Sequence, residues 1–226
     1  MFKPSDYLDL SQTEHAALFE NVEQVWEALG HIQAYLKFRL KPSIQATLIG
    51  KPFISDQVYL GEGTVVEPTA VIRGPAWIGR NCQIRAGAYI RENVIVGDNC
   101  VVGNSCELKN CVLFNGGQVP HFTYVGDSIL GAKAHLAAGV ILSNVKLDNG
   151  NVIVRSEGAS FDTGLRKFGS IIGDGAEIGC NAVLNPGSLI GRHSLIYSGV
   201  QWRGILPPDS VVKMTASYQV VPRRQA

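Results

Sequence analysis

The sequence predicts an all-β solenoid, a parallel β-helix of hexapeptide repeats with an N-terminal α-helical cap. Three observations predict it. Every sixth residue from Leu48 to Leu108 is aliphatic: Leu48, Ile54, Leu60, Val66, Ile72, Ile78, Ile84, Ile90, Val96, Val102 and Leu108. Glycine often follows the aliphatic, as at Gly61, Gly79, Gly97 and Gly103, and the residue two places before it is usually small, as at Thr64, Ala70, Ala76, Cys82, Ala88, Cys100 and Cys106. A period of six suits neither the 3.6 of an α-helix nor the two of a hairpin sheet. In a β-helix each flat face takes one hexad. The aliphatic points inward, the small residue fits beside a corner, and glycine supplies permissive turn geometry. Three hexads make a coil of roughly 18 residues.

The N-terminal segment, residues 1–44, reads as helical. Residues 11–40 form one helix on this reading, opened by a Ser11–Glu14 capping box. Leu18, Val22, Val25, Leu29, Ile32 and Leu36 alternate spacings of four and three along it, widened by Phe19 and Trp26. An uncovered solenoid end exposes core and strand edges, so this helix is expected to cap the open end or to contact a neighbouring protomer. His15 and His31 are expected to be solvated or interfacial.

The repeats fill residues 45–206. Residues 45–110 make about four coils. Leu130, Leu136 and Leu142 continue the pattern, and Ile172, Ile178, Leu184, Ile190 and Ile196 resume it. The rhythm breaks at 113–129 and 143–169, and both breaks are read as loop excursions. Insertions in a solenoid collect on one face, often the binding face. Residues 207–226, after Pro207-Pro208, form a tail expected to add a strand and then fray.

Composition narrows the function. Apolar residues make up 46% of the 226 and charged residues 17%, with a net charge of +1. Nothing in this balance suggests a nucleic-acid or membrane-surface binder. No membrane-length apolar run and no apolar signal core are found, so a cytoplasmic protein is expected. The five cysteines lack metal-binding spacing. Cys82, Cys100 and Cys106 fall in the small column, and Cys111 joins it after a one-residue slip.

Among the five histidines His121 stands apart, in the first register break and within Pro120-His121-Phe122-Thr123-Tyr124-Val125-Gly126-Asp127. An imidazole with its ordinary pKa near 6.5 suits a general base at neutral pH. His193 reads as a surface histidine in a turn. His135 reads as outward-facing, beside an inward Leu136.

The stretch from Asn104 to Asp127, NSCELKNCVLFNGGQVPHFTYVGD, resembles the acetyltransferase domain of the bacterial bifunctional N-acetylglucosamine-1-phosphate uridyltransferase/glucosamine-1-phosphate acetyltransferases. The stretch from Asp162 to Ser188, DTGLRKFGSIIGDGAEIGCNAVLNPGS, is similar to the archaeal sugar-1-phosphate nucleotidyltransferase/acetyltransferases, which also carry a hairpin-like excursion before it. The resemblance covers roughly 45–205, and its motif H-x-T-Y-x-G-D is more specific than the hexads.

The resemblance implies a left-handed coil and a homotrimer with its active sites between neighbouring β-helices. It implies acetyl-CoA as cosubstrate and no metal for acetyl transfer. His121 matches the general base, and Glu107 the carboxylate that orients it. Arg91 and Lys109 match cationic contacts to the sugar phosphate. Tyr124 and Asn144 match sugar-binding positions, and Lys167 a lysine near the phosphate and coenzyme. Ala138, Cys180 and Ser198 fall where the family packs acetyl-CoA. The nucleotide loop of the uridyltransferase half is missing, which implies a stand-alone acetyltransferase or the partner of a separate nucleotidyltransferase. Amino-sugar 1-phosphates, glucosamine- or galactosamine-1-phosphate, are the implied acceptors.

His135, Val145, Gly150 and Ile153 depart from the family pattern and put the sugar specificity in question. Lys146, Arg155 and Arg166 are candidate substitutes. Three other readings stay open: an acyltransferase for another amino sugar, a zinc carbonic anhydrase, and a non-catalytic β-helix subunit beside a nucleotidyltransferase.

Overall fold

The computed structural model describes residues 2–156, 158–215, 219 and 221–222. Among these described residues nine coils stack into a three-sided parallel β-helix. Two faces carry nine strands each and the third carries eight. Consecutive strands of one face lie one coil apart and pair in parallel, as in Ala76–Ile78 with Val94–Val96. The first face runs from Ser43–Ile44 to Ile205–Leu206, the second from Thr47–Leu48 to Val211–Val212, and the third from Phe53–Ile54 to Gln201–Trp202.

The predicted aliphatic column is the core. Leu60, Val66, Ile72, Ile78, Ile84, Ile90, Val96, Val102 and Leu108 are all 0% exposed and form one cluster with Leu113, Val119, Val125 and Leu130. Cys82, Cys100, Cys106 and Cys111 are buried in it, as their size suggests. The glycines that follow the aliphatic have a different cause from the one predicted. They are not left-handed; a Cβ on Gly61 would lie 2.6 Å from the carbonyl oxygen of Gly79 in the next coil, and one on Gly173 would lie 2.7 Å from Arg192 N. Coil-to-coil contact excludes a side chain there. The left-handed corner residues come two places later, at Gly63, Asn81, Asn99 and Ser105.

Residues 113–129 are not an excursion. Strands Cys111–Leu113, Gln118–His121, Tyr124–Gly126 and Ile129–Leu130 run through them. Val102 pairs with Val119 and Leu108 with Val125. The disturbance is a shortened corner between the third face and the first. Leu108 to Leu113 and Val125 to Leu130 are each one residue short of a hexad, so the register shifts while every aliphatic stays inside. Residues 143–169 are the predicted excursion, an antiparallel hairpin of Ile153–Ser156 and Ala159–Asp162. It leaves the coil after Leu142 and returns before Ile172, yet Leu130 still pairs with Ile172 across it.

The N-terminal segment departs from the predicted single helix. Its helices are α1 (Pro4–Tyr7) and α2 (Ala28–Arg39), and three short 3-10 turns at 10–12, 16–19 and 25–27 lie between them. Ser11 does not open a long helix; Asp9 accepts from its backbone N–H and hydroxyl and caps the first 3-10 turn. Asn21, with φ 60°, breaks any continuation. Helix α2 ends shortly before Pro42, which disfavours helical geometry at the residue before it.

This segment does not cap an end of the solenoid. It lies along the outside of the first face. The middle residues of that face's strands, Trp77, Ile95, Val112, Ile129, Ile171 and Leu189, point outward and are buried against Leu18, Val25, Trp26, Leu29, Ile32 and Leu36. The hairpin joins this second core through Val152, Val154 and Phe168. Phe2 meets Phe161 with ring centroids 5.3 Å apart, and Trp26 meets Phe168 at 6.1 Å. Asp174 ties segment to solenoid, accepting from Asp9 N at 2.6 Å and Ala132 N at 2.8 Å.

His15, expected to be solvated or interfacial, is fully buried, at the contact of the N-terminal segment with the first face. Its Nδ1 lies 3.0 Å from the Tyr35 hydroxyl, and its ring stands edge-on to Trp77 at 5.0 Å. At the C-terminus the predicted extra strand is Val211–Val212, paired with Leu195–Ile196. The predicted fraying falls largely on residues outside the described ones. Among the described residues no helix is long and apolar enough to cross a membrane.

Candidate active site

The edge between the second and third faces is built from one corner position repeated in each coil. Asn104 pairs with His121 in adjacent coils. The column continues through backbone bonds: Gly139 N donates to His121 O at 3.1 Å, Asn181 N to Ala138 O at 2.9 Å, and Gly199 N to Cys180 O at 2.8 Å. His121, Ala138, Cys180 and Ser198 therefore stack along one edge, four coils in succession. They are far apart in sequence, and the solenoid lines them up. Each is followed by a left-handed residue: Phe122 at 43°, Gly139 at 74°, Asn181 at 55° and Gly199 at 74°. Glycine and asparagine take that conformation readily, whereas a bulky phenylalanine does so at a cost.

His121 is exposed, and among the described residues no hydrogen bond is made by its imidazole. Cys180 is exposed on the same edge. Above them, on the second face, His135 pairs with Glu177 and lines a groove of about 380 Å³ with Tyr197, Ser198 and Met214.

The adjoining third face carries the predicted polar residues. Tyr89, Glu107 and Tyr124 stand in register on consecutive coils. Arg91 Nη1 donates to Glu107 Oε1 at 2.9 Å, an ion pair that keeps the guanidinium charged and raises its pKa. Glu107 is thus bonded to Arg91 and not to His121. Its predicted part in orienting His121 is not made in this arrangement.

Further along the face lies a residue whose weight sequence reasoning missed. Asp127 closes the H-x-T-Y-x-G-D motif and is only 3% exposed. Its carboxylate accepts from Lys109 Nζ at 3.2 Å, Asn110 Nδ2 at 2.9 Å and Asn144 Nδ2 at 2.5 Å. Asn144 Nδ2 also lies 3.2 Å from the Tyr124 hydroxyl. Burial, and then the Asp127 charge, raise the Tyr124 pKa, so its phenol stays protonated. Residues of three consecutive coils are held by one buried carboxylate. The signal available was the motif itself; burial is a tertiary property that spacing does not report.

Lys167 sits at the foot of the hairpin, where it bridges Val145, and the next residue, Phe168, donates to Asn144 O at 2.9 Å. The structure thus brings Arg91, Glu107, Lys109, Tyr124, Asn144 and Lys167 onto one face and its margin, with His121, Ala138, Cys180 and Ser198 on the adjoining edge. Among the described residues no three His, Cys, Asp or Glu side chains are grouped to hold a metal ion.

A three-sided coiled array of hexads with one hairpin inserted is the arrangement of a hexapeptide-repeat β-helix protein. Residues 72–160 match the GMPPB C-terminal domain family. Within that class the chain is similar to the bifunctional GlmU proteins. It is 33% identical over 187 residues to the one of Methanococcus maripaludis, covering 83% of this chain and 45% of the relative. It is 32% identical over 197 residues to that of Methanococcus aeolicus, covering 86% and 47%. A bifunctional sugar-1-phosphate nucleotidylyltransferase/acetyltransferase of Sulfurisphaera tokodaii is 36% identical over 93 residues, covering 41% and 23%. The chain spans less than half the length of these relatives. The resemblance read from Asn104–Asp127 and Asp162–Ser188 therefore holds over most of the chain.

Proposed function

We propose that this chain is an acetyl-CoA-dependent N-acetyltransferase acting on an amino-sugar 1-phosphate, with His121 as general base. One observation carries the reading: the column His121, Ala138, Cys180, Ser198 runs beside the Arg91–Lys109–Tyr124–Asn144 surface. Acetyl-CoA would lie along the small residues of the edge, with its thioester at His121. The acceptor would lie on the third face, its phosphate on Arg91, Lys109 and Lys167 and its ring against Tyr124 and Asn144. The sugar amine then attacks the thioester carbonyl while His121 takes its proton. The C–S bond breaks, and the proton passes to the departing thiolate. No enzyme-bound acyl group is formed, so Cys180 serves as a wall. A backbone N–H near Ala138 would stabilise the oxyanion.

Glu107 holds Arg91 in the free chain. A phosphate that engages Arg91 would release Glu107 toward His121. The first face is covered by the chain's own N-terminal segment, so a trimer would pack through the other two faces, and the open His121 edge would close against a neighbour. Action in the cytoplasm, and beside a separate nucleotidyltransferase, completes this reading.

The test is thiol release from acetyl-CoA with glucosamine-1-phosphate and galactosamine-1-phosphate, on the intact chain and on His121→Ala. Turnover falling by about 10²–10⁴ in the variant, with acetyl-CoA still bound, is expected for loss of a general base. An undiminished rate removes His121 from the mechanism. Coenzyme binding without turnover on either sugar points to another amine acceptor. The Arg91–Glu107 bond favours a second reading, a non-catalytic β-helix subunit, and absence of acetyl-CoA binding would support it.

A further inference from the structure

The hairpin insertion brings basic residues to a place the solenoid alone would not. Its first strand carries Arg155, and the eighth strand of the third face ends just before Arg203. Both line a groove of about 590 Å³ with Ser143, Lys146, Asn185 and Pro186. Both also line a second, adjoining hollow of about 340 Å³. Three cations face this space against one carboxylate of the lining, Asp148, which is bound to Lys146 Nζ at 3.0 Å. Among the described residues neither Arg155 nor Arg203 has an ion-pair partner.

Its two arginines stand apart from the Arg91 and Lys109 cations, although Val145 of the lining adjoins Lys167. Ser143 N donates to Leu184 O and Asn185 N to Trp202 O, so Ser143, Asn185 and Arg203 occupy one corner position in three successive coils. Arg91, Lys109 and Gly126 hold that position in the coils before them. With coils about 4.8 Å apart, Arg203 stands five coils, roughly 24 Å, beyond Arg91. Like charges gathered in a cleft repel one another unless an anion joins them. Arginine presents a planar fork of donors that fits phosphate oxygens.

We propose that the foot of the hairpin is a second anion site, one that takes a phosphate or diphosphate ester through Arg155, Arg203 and Lys146. Ser143 and the Asn185 amide add neutral polar groups to the lining. The site does not depend on acetyl transfer, and its occupancy is measured without turnover.

Inorganic pyrophosphate is the probe, titrated against the intact chain by calorimetry at low and at moderate salt. Saturable binding that weakens as salt rises is expected. Arg155→Gln/Arg203→Gln should weaken it by at least about tenfold, with an unchanged circular dichroism spectrum and Tm because both side chains are exposed. Arg91→Gln, which keeps the Lys109–Asp127 pair, should leave it within about twofold. Displacement of pyrophosphate by coenzyme A would assign the site to the coenzyme's phosphates. Displacement by glucosamine-1-phosphate would assign it to the acceptor, and displacement by neither would assign it to a free phosphorylated effector. Absence of saturable binding overturns the proposal. So does binding that survives the Arg155/Arg203 change, or binding lost only with Arg91.

Discussion

Phe122 holds a left-handed backbone next to His121 with its side chain 58% exposed. A bulky residue there costs about 1–2 kcal/mol over glycine. Strain of this kind persists where the surroundings over-determine it, and it collects at functional sites. Phe122→Gly should therefore raise stability by about 1 kcal/mol in denaturant titration, and a loss would show that the ring packs productively. Asp127 has the opposite character. Asp127→Ala strands Lys109, only 16% exposed, and takes an acceptor from the Asn110 and Asn144 amides. Breaking a buried pair costs about 3–5 kcal/mol, so the Tm should drop by several degrees. His15 gives a pH signature. Burial, with the charge of Arg39, lowers its pKa from 6.5 to about 4. The unfolded chain binds a proton near 6.5 while the folded chain resists it until about 4. This contribution is full above pH 6.5 and is lost as pH falls toward 4, by on the order of 3 kcal/mol. His15→Gln should flatten the decline of Tm between pH 6.5 and 4 relative to the unaltered chain; an equal slope would remove His15 as its cause.

Elements differ in how far they are legible in the sequence. The hexads are legible because a six-residue period fits neither a helix nor a hairpin sheet, and the hairpin is legible as a long gap in that period. The N-terminal segment is not, because spacings of three and four suit any stretch that buries one side. Here 3-10 turns and α2 bury the same Leu18, Val25, Leu29, Ile32 and Leu36 without one continuous helix. The outward apolar residues of the first face, such as Trp77, Ile95 and Val112, are the sequence sign that this face is covered. Residues 113–129 resemble a loop because two short corners mimic lost periodicity. At this scale Asp174 is the critical tie, accepting from Asp9 N and Ala132 N and lying 3.3 Å from Arg192 Nε as an ion pair. Asp174→Ala should speed amide exchange in residues 2–25 ahead of global unfolding. Uniform acceleration throughout the chain would instead mean that the wrap and the coils open together.

For the whole molecule, stability is close to a sum of coil-to-coil contacts. The first coil has a neighbour on one side only, and its inward residues remain open, Ile44 at 53% and Leu48 at 41%, whereas Leu60 one coil later is fully buried. Hydrogen exchange should therefore be faster in 43–54 than in 94–130. Equal protection would mean that something covers that end in solution. The predicted site residues converge at this scale alone: His121 and Ser198 meet on one edge because coils repeat, a relation that spacing shows only once the coil is counted.

That edge is also a ruler. Its graduations are the coil spacing, about 4.8 Å each, and three of them separate His121 from Ser198, about 14 Å in all. A ligand gripped at both marks is selected by length, and the interval is set by whole coils, not by side-chain adjustment. Removing the coil that holds Cys180 would shorten the measure by one graduation and leave every side chain at its ends unchanged.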